Sequence, residues 1–552
     1  MIAALLAITL TFACIQVDPA GAATPVDRLR LERIEDLSES LANQLHRMST
    51  FVRLRQVDSL ALYFSVDLRA TSIPKTSAPV EAIKWIRHEP ALPPRTGLDK
   101  TAFLREWRSF LDRFSSIEDV RFKVKQADFE VDASAERERA LAQIFFFVVG
   151  RNVEGLRVWS QAKAKIEAAD VNGVWRIDLF KIKELLQSSA SVDLFSEVSS
   201  PAGVYHSVPR FGQPGNQVFV AHGVAVADVD ADGLLDVFTT GVGRNFLYRN
   251  NGDGTFLDVA AETAVEITPT ATAPLFLDFD NDGDSDLFLA ATGFQMLFEN
   301  RLVPDGKLEF VDISVEAGVD HAAQGFSAVS GDVNADGRPD IYVTSYNRYG
   351  VIMPDSWARA TNGTPNLLFV NRGDGRFQER ATAWGVDDGR WSYAAQFGDL
   401  NDDGRADLYV ANDFGENGLF VNDGDRFHDD ASARSLLDPG NGMGVSMGDF
   451  DNDGRLDLHV TNMSSTAGQR ILKRLFPERD QPSDTRVLHK LAAGNTLFKN
   501  LGRGQFADVS QEVGGLGAGW AFGGGFIDVD NDGWEDLHAP NGFISGKSLR
   551  DT

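Results

Sequence analysis

Apolar residues near the start of the chain recur at helical steps. Leu31, Ile34, Leu37, Leu41, Leu45 and Met48 lie three or four residues apart and share one helix face. This periodicity predicts an amphipathic helix over residues 26–70. Pro74, Pro79, Pro90, Pro93 and Pro94 then predict a linker over 71–100. A second helix is expected from Thr101 to Phe114, followed by the strand-like runs "VRFKVKQADFEV", "LAQIFFFVVGRN", "LRVWSQAKAKIEA" and "VWRIDLFKI". The last two are separated by Val171-Asn172-Gly173, a tight-turn signal. Residues 101–188 therefore read as a smaller α+β domain.

Beyond residue 190 the pattern changes to short apolar runs, each preceded by concentrated negative charge, as in "LDFDNDGDSDLFLA" from Leu277 to Ala290. The frame D-x-[DN]-x-D-G-x-x-D occurs six times in register. Its positions 1, 3, 5, 7 and 9 are Asp228, Asp230, Asp232, Leu234 and Asp236 in the first copy, and Asp278, Asp280, Asp282, Asp284 and Asp286 in the second. The third has Asp332, Asn334, Asp336, Arg338 and Asp340, and the fourth Asp399, Asn401, Asp403, Arg405 and Asp407. The fifth has Asp449, Asp451, Asp453, Arg455 and Asp457, and the sixth Asp528, Asp530, Asp532, Trp534 and Asp536.

Side chains at positions 1, 3 and 5 of a tight loop converge on one point, and glycine at position 6 permits the turn. Position 7 would offer its backbone carbonyl, and the aspartate at 9 would close the shell. Hard oxygen donors without histidine or cysteine suit calcium rather than zinc or copper. About six calcium ions are expected. An EF-hand shares the first half of this frame but needs a glutamate at position 12 and flanking helices. Position 12 here is Thr239, Leu289, Val343, Val410, Val460 and Ala539, which excludes it.

Other signals repeat in the same order. "NFLYRNNGDGTFLDVA", "NLLFVNRGDGRFQERA", "GLFVNDGDRFHDDA" and "NTLFKNLGRGQFADVS" each read as two strands joined by a turn, and "FSEVSSPAGV" and "FVDISVEAGV" carry the second of these strands. A unit thus contains an outer strand, a strand entering the loop, the acidic loop, a core strand and a hairpin strand. Four strands per unit predict propeller blades, with a linear solenoid as the alternative. On these motifs the region 190–552 resembles FG-GAP and VCBS repeats, the calcium-binding blades of the integrin alpha propeller, and is most similar to the secreted cartilage-acidic-protein-1-like family. The resemblance implies a mainly β fold: a six- or seven-bladed calcium-binding propeller preceded by a smaller α+β domain. The element order of that smaller domain, with the late strand Gly173-x-Trp175-Arg176-Ile177, resembles nuclear transport factor 2.

Charge sharpens the picture. The 552 residues carry a formal net charge of -27, which argues against nucleic acid, whose phosphates would be repelled. Residues 1–22 read as a secretory signal, and Cys14 is the sole cysteine, so no disulfide framework is expected. No run is long and apolar enough for a transmembrane helix. Secreted, periplasmic or cell-surface placement follows.

Insertions from Ser345 to Gly363 and from Met463 to Gly494 break the unit spacing, and loops on rigid scaffolds are where recognition resides. Trp391, Trp520 and Trp534 read as packing aromatics, and Asn362-Gly363-Thr364 and Asn462-Met463-Ser464 fit the glycosylation sequon. Among nine histidines no catalytic set stands out. The expected function is a binding or adhesion module for an extracellular protein or glycan. The alternative is a hydrolase or lyase using the propeller channel or an N-terminal pocket.

Overall fold

A computed structural model describes residues 25–540 except 84, 131–136, 194, 206–222, 242, 267–269, 349–350, 357, 465–486, 488 and 515–516. The expected signal segment, Cys14 and most of the second insertion lie outside the described residues. The chain forms two compact units, residues 1–196 and 197–552.

In the first unit, helix α1 (Pro25–Arg53) turns Leu37, Leu41, Leu45, Met48 and Val52 into the core, as the periodicity requires. Gln44 sits on that buried face. Its amide donates to the Trp175 carbonyl at 2.6 Å and accepts from the Trp175 N–H at 2.8 Å, so the polar side chain is satisfied. The helix expected to reach residue 70 ends at Arg53: Arg55 is left-handed, with φ 57°, and a strand, β1 (Phe64–Ala70), follows. Val57, Leu60, Phe64 and Leu68 are buried at three- and four-residue steps, so the apolar spacing runs straight across the break.

The proposed 71–100 linker contains a hairpin, β2 (Val80–Ile83) and β3 (Ile86–Pro90), which adds to the main sheet. Helix α2 (Lys100–Leu111) is capped by Asp99, whose carboxylate accepts the Ala102 N–H at 2.8 Å. Four long strands follow: β4 (Phe114–Glu130), β5 (Arg139–Asn152), β6 (Arg157–Val171) and β7 (Val174–Ala190). The sheet order is β2-β3-β7-β6-β5-β4, with β1 parallel to β7. Asn172 and Gly173 both have positive φ, as a two-residue hairpin turn between β6 and β7 demands. Phe103, Trp107, Phe122, Phe146 and Phe180 form one aromatic core, in which Phe122 and Phe146 stack and the other pairs meet tilted or edge-on.

The second unit is a succession of antiparallel meanders, four strands in each of the first five, and the second and third are joined where residues 292–294 pair with residues 322–324. The first sheet comprises β8 (Val224–Ala227), β9 (Asp236–Thr239), β10 (Phe246–Asn250) and β11 (Phe256–Asp258). The second comprises β12 (Ala271–Leu277), β13 (Asp286–Phe294), β14 (Met296–Asn300) and β15 (Phe310–Asp312). The third comprises β16 (Ala322–Gly331), β17 (Asp340–Ser345), β18 (Leu367–Asn371) and β19 (Phe377–Glu379). The fourth comprises β20 (Trp391–Gly398), β21 (Asp407–Asp413), β22 (Gly418–Asn422) and β23 (Phe427–Asp429). The fifth comprises β24 (Gly442–Gly448), β25 (Asp457–Asn462), β26 (Thr496–Asn500) and β27 (Phe506–Asp508). A sixth sheet holds β28 (Gly525–Ile527) and β29 (Asp536–His538) among the described residues.

First strands of successive sheets pack on one another in order, from β8 on β12 to β24 on β28. Apolar clusters lie between neighbouring sheets: Leu408, Val410 and Phe420 of the fourth meet Val333, Tyr342 and Leu368 of the third. The second strands β17, β21 and β25 are therefore covered on both faces, which is why "DIYVTS", "DLYVAND" and "DLHVTN" are buried throughout. Threonine hydroxyls bridge the sheets near their inner strands. Thr240 donates to the Thr272 carbonyl at 3.1 Å, Thr272 to Gly325 at 2.8 Å and Thr344 to Tyr393 at 3.2 Å.

Candidate functional site

Each acidic frame forms the connection from first to second strand of its sheet, and all six have the same hydrogen-bond pattern. Position 4 (Ala231, Asn281, Ala335, Asp402, Asn452, Asn531) and the glycine at position 6 both have positive φ, so the chain reverses twice within the loop. The position-1 carboxylate caps the turn. One oxygen accepts the N–H of position 5 at 2.9–3.1 Å and the other accepts the glycine N–H at 2.8–3.1 Å. Position 5 accepts the N–H of position 7, from Leu234, Asp284, Arg338, Arg405, Arg455 or Trp534, at 2.8–3.2 Å.

The position-9 aspartate opens the second strand. One of its oxygens accepts the N–H of position 2 at 2.9–3.3 Å. In the first five units the other accepts the backbone N–H of an asparagine ending the third strand, Asn250, Asn300, Asn371, Asn422 or Asn500, at 2.7–3.0 Å. Asp236, Asp286, Asp340, Asp407 and Asp457 are buried, whereas Asp536 is exposed. Burial pushes the Asp286 carboxyl up to about 8 and those of Asp340, Asp407 and Asp457 to about 6, outweighing the hydrogen bonds that favour the charged form. The neighbouring loop carboxylates add to the same upward shift by repulsion.

The asparagines were legible only as the last letter of "LF-x-N"; their second role needed the fold. The amides of Asn300, Asn371, Asn422 and Asn500 each donate to the position-2 carbonyl of the preceding loop, Val229, Phe279, Val333 or Leu400, at 2.7–3.3 Å. Every such side chain ties one acidic loop to its neighbour.

Carboxylate oxygens of Asp228, Asp230 and Asp236 lie within 4.8 Å of one another, as do those of Asp278, Asp280 and Asp282, of Asp449, Asp451 and Asp453, and of Asp528, Asp530 and Asp536. Asn334 and Asn401 hold position 3 in the remaining loops; Asn334 accepts the Asp336 N–H at 3.0 Å. Arg338, Arg405 and Arg455 turn their guanidinium groups back onto the position-5 carboxylates of Asp336, Asp403 and Asp453. Oδ1 of Asp230, Asp284, Asn401 and Asp451 is buried without a hydrogen-bond partner. An all-oxygen donor set with orphaned, buried acceptors fits a hard divalent cation.

Three expectations meet the structure elsewhere. Trp391 is fully buried, its indole N–H donating to Asn362 Oδ1 at 2.8 Å, but Trp534 is 53% exposed and is not a packing residue. Asn462 of the second sequon is fully buried and bonded to Asp438 and the Gly494 carbonyl. No helix among the described residues is long and apolar enough to cross a membrane.

Acidic loops that lead into the second strands of serial four-stranded sheets define a class, and the chain carries FG-GAP-like repeats, matched at residues 228–289, 278–343, 353–410 and 399–460. Within that class it is similar to human cartilage acidic protein 1, at 24% identity over 357 residues, 60% of this chain and 48% of the human protein. The match to the mouse protein, at 25% identity, covers 41% of this chain and 37% of that protein, so the chain spans less than half the length of either relative. Among solved structures it is similar to an Agrocybe aegerita lectin described for recognition of non-reducing terminal N-acetylglucosamine, at 17% identity and TM-score 0.34, covering 59% of this chain and 76% of that one.

Proposed function

We propose that residues 197–552 form a calcium-stabilised six-bladed β-propeller that acts outside the cytosol as a binding or adhesion module for a protein or glycan. The observation that carries this reading is the sixfold loop, with its all-oxygen donors, buried carboxylates and orphaned acceptors. Bound calcium would supply positive charge where the loop carboxylates converge. The chain's own part is to hold the donors: glycine and the left-handed fourth residue close the turn, position 1 caps it, and the third-strand asparagine fixes position 9. The tied loops would then keep the sheets rigid while the insertion at 345–363 presents a recognition surface.

Residues 197–204 support ring closure. Ser199 N–H donates to Glu197 at 2.7 Å and Val204 N–H to the Ser199 carbonyl at 3.0 Å, the pattern Ser314 makes with Asp312 at 3.0 Å and Val319 with Ser314 at 3.0 Å after the outer strand β15. The Phe256 N–H donates to the Ala202 carbonyl at 2.8 Å, seating this orphan outer turn against the first sheet. It has the form of an outer turn, a part that the sixth sheet does not show among the described residues. The test is thermal unfolding and limited proteolysis with calcium and with EDTA. The expected result is a lower transition and faster cleavage in EDTA; identical curves overturn the reading. A glycan and protein array probed with and without calcium then identifies the ligand class.

A further inference from the structure

The six loops are not equivalent, and the residue that distinguishes the fifth comes from outside the loop. Lys499 lies on β26 immediately before the latch asparagine Asn500 and is paired in register with Ala507. At the same register the first four units carry Arg249, opposite Leu257; Glu299, opposite Val311; Val370, opposite Gln378; and Val421, opposite His428. The Lys499 ammonium is ion-paired with Asp451, the position-3 carboxylate, and lies 3.6 Å from Asp453 at position 5. Arg455 pairs with Asp453 from the other direction. Two cationic side chains therefore share the carboxylates that converge with Asp449. Among the described residues, no other loop has a lysine ion-paired with its position-3 side chain. The second loop is the opposite extreme. It adds Asp284 at position 7, and Glu299 faces Asp280 with a like charge while pairing with Arg301 at 2.8 Å.

We propose that Lys499 is the resident cation of the fifth loop, so that five of the six loops exchange calcium and the fifth is held shut by an ammonium. The proposal rests on the calcium reading above. An ammonium donates up to three N–H groups and brings one charge, enough to hold Asp451 and Asp453 together. A divalent ion bound between the same oxygens would sit within a few ångströms of that ammonium and be repelled, so binding would require its ejection. The fifth sheet also carries the 463–494 insertion between β25 and β26. An internal cation keeps that sheet braced when external calcium falls and the other loops empty.

The experiment is calcium stoichiometry on the full chain, by equilibrium dialysis and titration calorimetry, for the native protein, Lys499→Met, Lys499→Arg and Asp449→Asn. Five ions are expected for the native chain and for Lys499→Arg, which keeps the charge, and six for Lys499→Met. Asp449→Asn should leave five. In EDTA, Lys499→Met should lower Tm relative to the native protein, and in saturating calcium the difference should shrink. Six ions on the native chain, or five on Lys499→Met with a drop to four on Asp449→Asn, overturns the Lys499 proposal while leaving the calcium reading intact. No bound calcium in any variant overturns the calcium reading and this proposal with it.

Discussion

The two units solve the same problem of burying a sheet by different means. In the N-terminal unit, β4 to β7 are 14 to 17 residues long and share one continuous core built on Phe103, Trp107, Phe146 and Phe180. In the repeat unit the outermost strands are only three residues long, and the apolar contact is divided into separate clusters between successive sheets. Short strands supply few ladder bonds and little area each. The join between sheets is made instead by polar groups: asparagine amides, threonine hydroxyls and carboxylate loops. A long-strand domain depends on area removed from water, whereas a serial one depends on how its acidic connections are neutralised.

Chelation should separate the units most sharply. For an extracellular-type site with Kd on the order of 0.1–1 mM, 10 mM calcium contributes about 1.4–2.7 kcal/mol per loop, so several loops together exceed the effect of any single substitution. Differential scanning calorimetry should therefore show one transition that falls in EDTA and one that does not. Next in size, Trp107→Ala removes a fully buried indole from the N-terminal core and should cost about 3–5 kcal/mol. That loss should move only the calcium-insensitive transition; a shift in the other would show that the assignment is reversed.

A smaller effect is expected at the latch. Asn371→Ala keeps the backbone N–H to Asp340 but strips the amide from the Phe279 and Pro339 carbonyls. Leaving buried acceptors unpaired should cost about 2–4 kcal/mol, read as a lower urea midpoint for the calcium-sensitive transition. A latch that couples neighbouring loops should also weaken calcium binding by more than one site, which a calorimetric titration of the same variant resolves.

An effect confined to one pH range concerns Asp413, a buried carboxyl outside the loops that accepts from the Tyr346 hydroxyl at 2.6 Å and the Phe414 N–H at 3.1 Å. Burial pushes it up to about 7. The folded state thus holds a proton that the unfolded chain releases near pH 4, and this group's contribution to stability falls as pH rises from about 4 to about 7. Asp413→Asn should flatten that part of the pH profile by at most about 4 kcal/mol, from roughly three pH units at about 1.4 kcal/mol each. The gain over the native chain should appear at pH 8 and be absent at pH 4 in urea titrations; equal profiles would discount the buried charge.

Much of this was legible from local patterning. The acidic frame, the Asn172-Gly173 turn and the apolar second strands depend on residues a few positions apart, and their periods survive in the fold. The helix end at Arg53 did not stand out, because apolar residues spaced by four satisfy both a helix face and, further on, the alternate positions of β1. The sequon at Asn462 was equally silent about its burial.

By itself, then, the sequence determined what repeats: six oxygen-rich loops, each opening a short apolar strand. Tertiary structure decided what each repeat touches. Asn300, Asn371, Asn422 and Asn500 reach carbonyls 71, 92, 89 and 100 residues away, and Lys499 reaches Asp451 across 48. Local periodicity specifies a face and a turn because neighbouring residues share one backbone geometry. A partner dozens of residues distant is chosen only when stacked sheets bring the two chains of atoms into register.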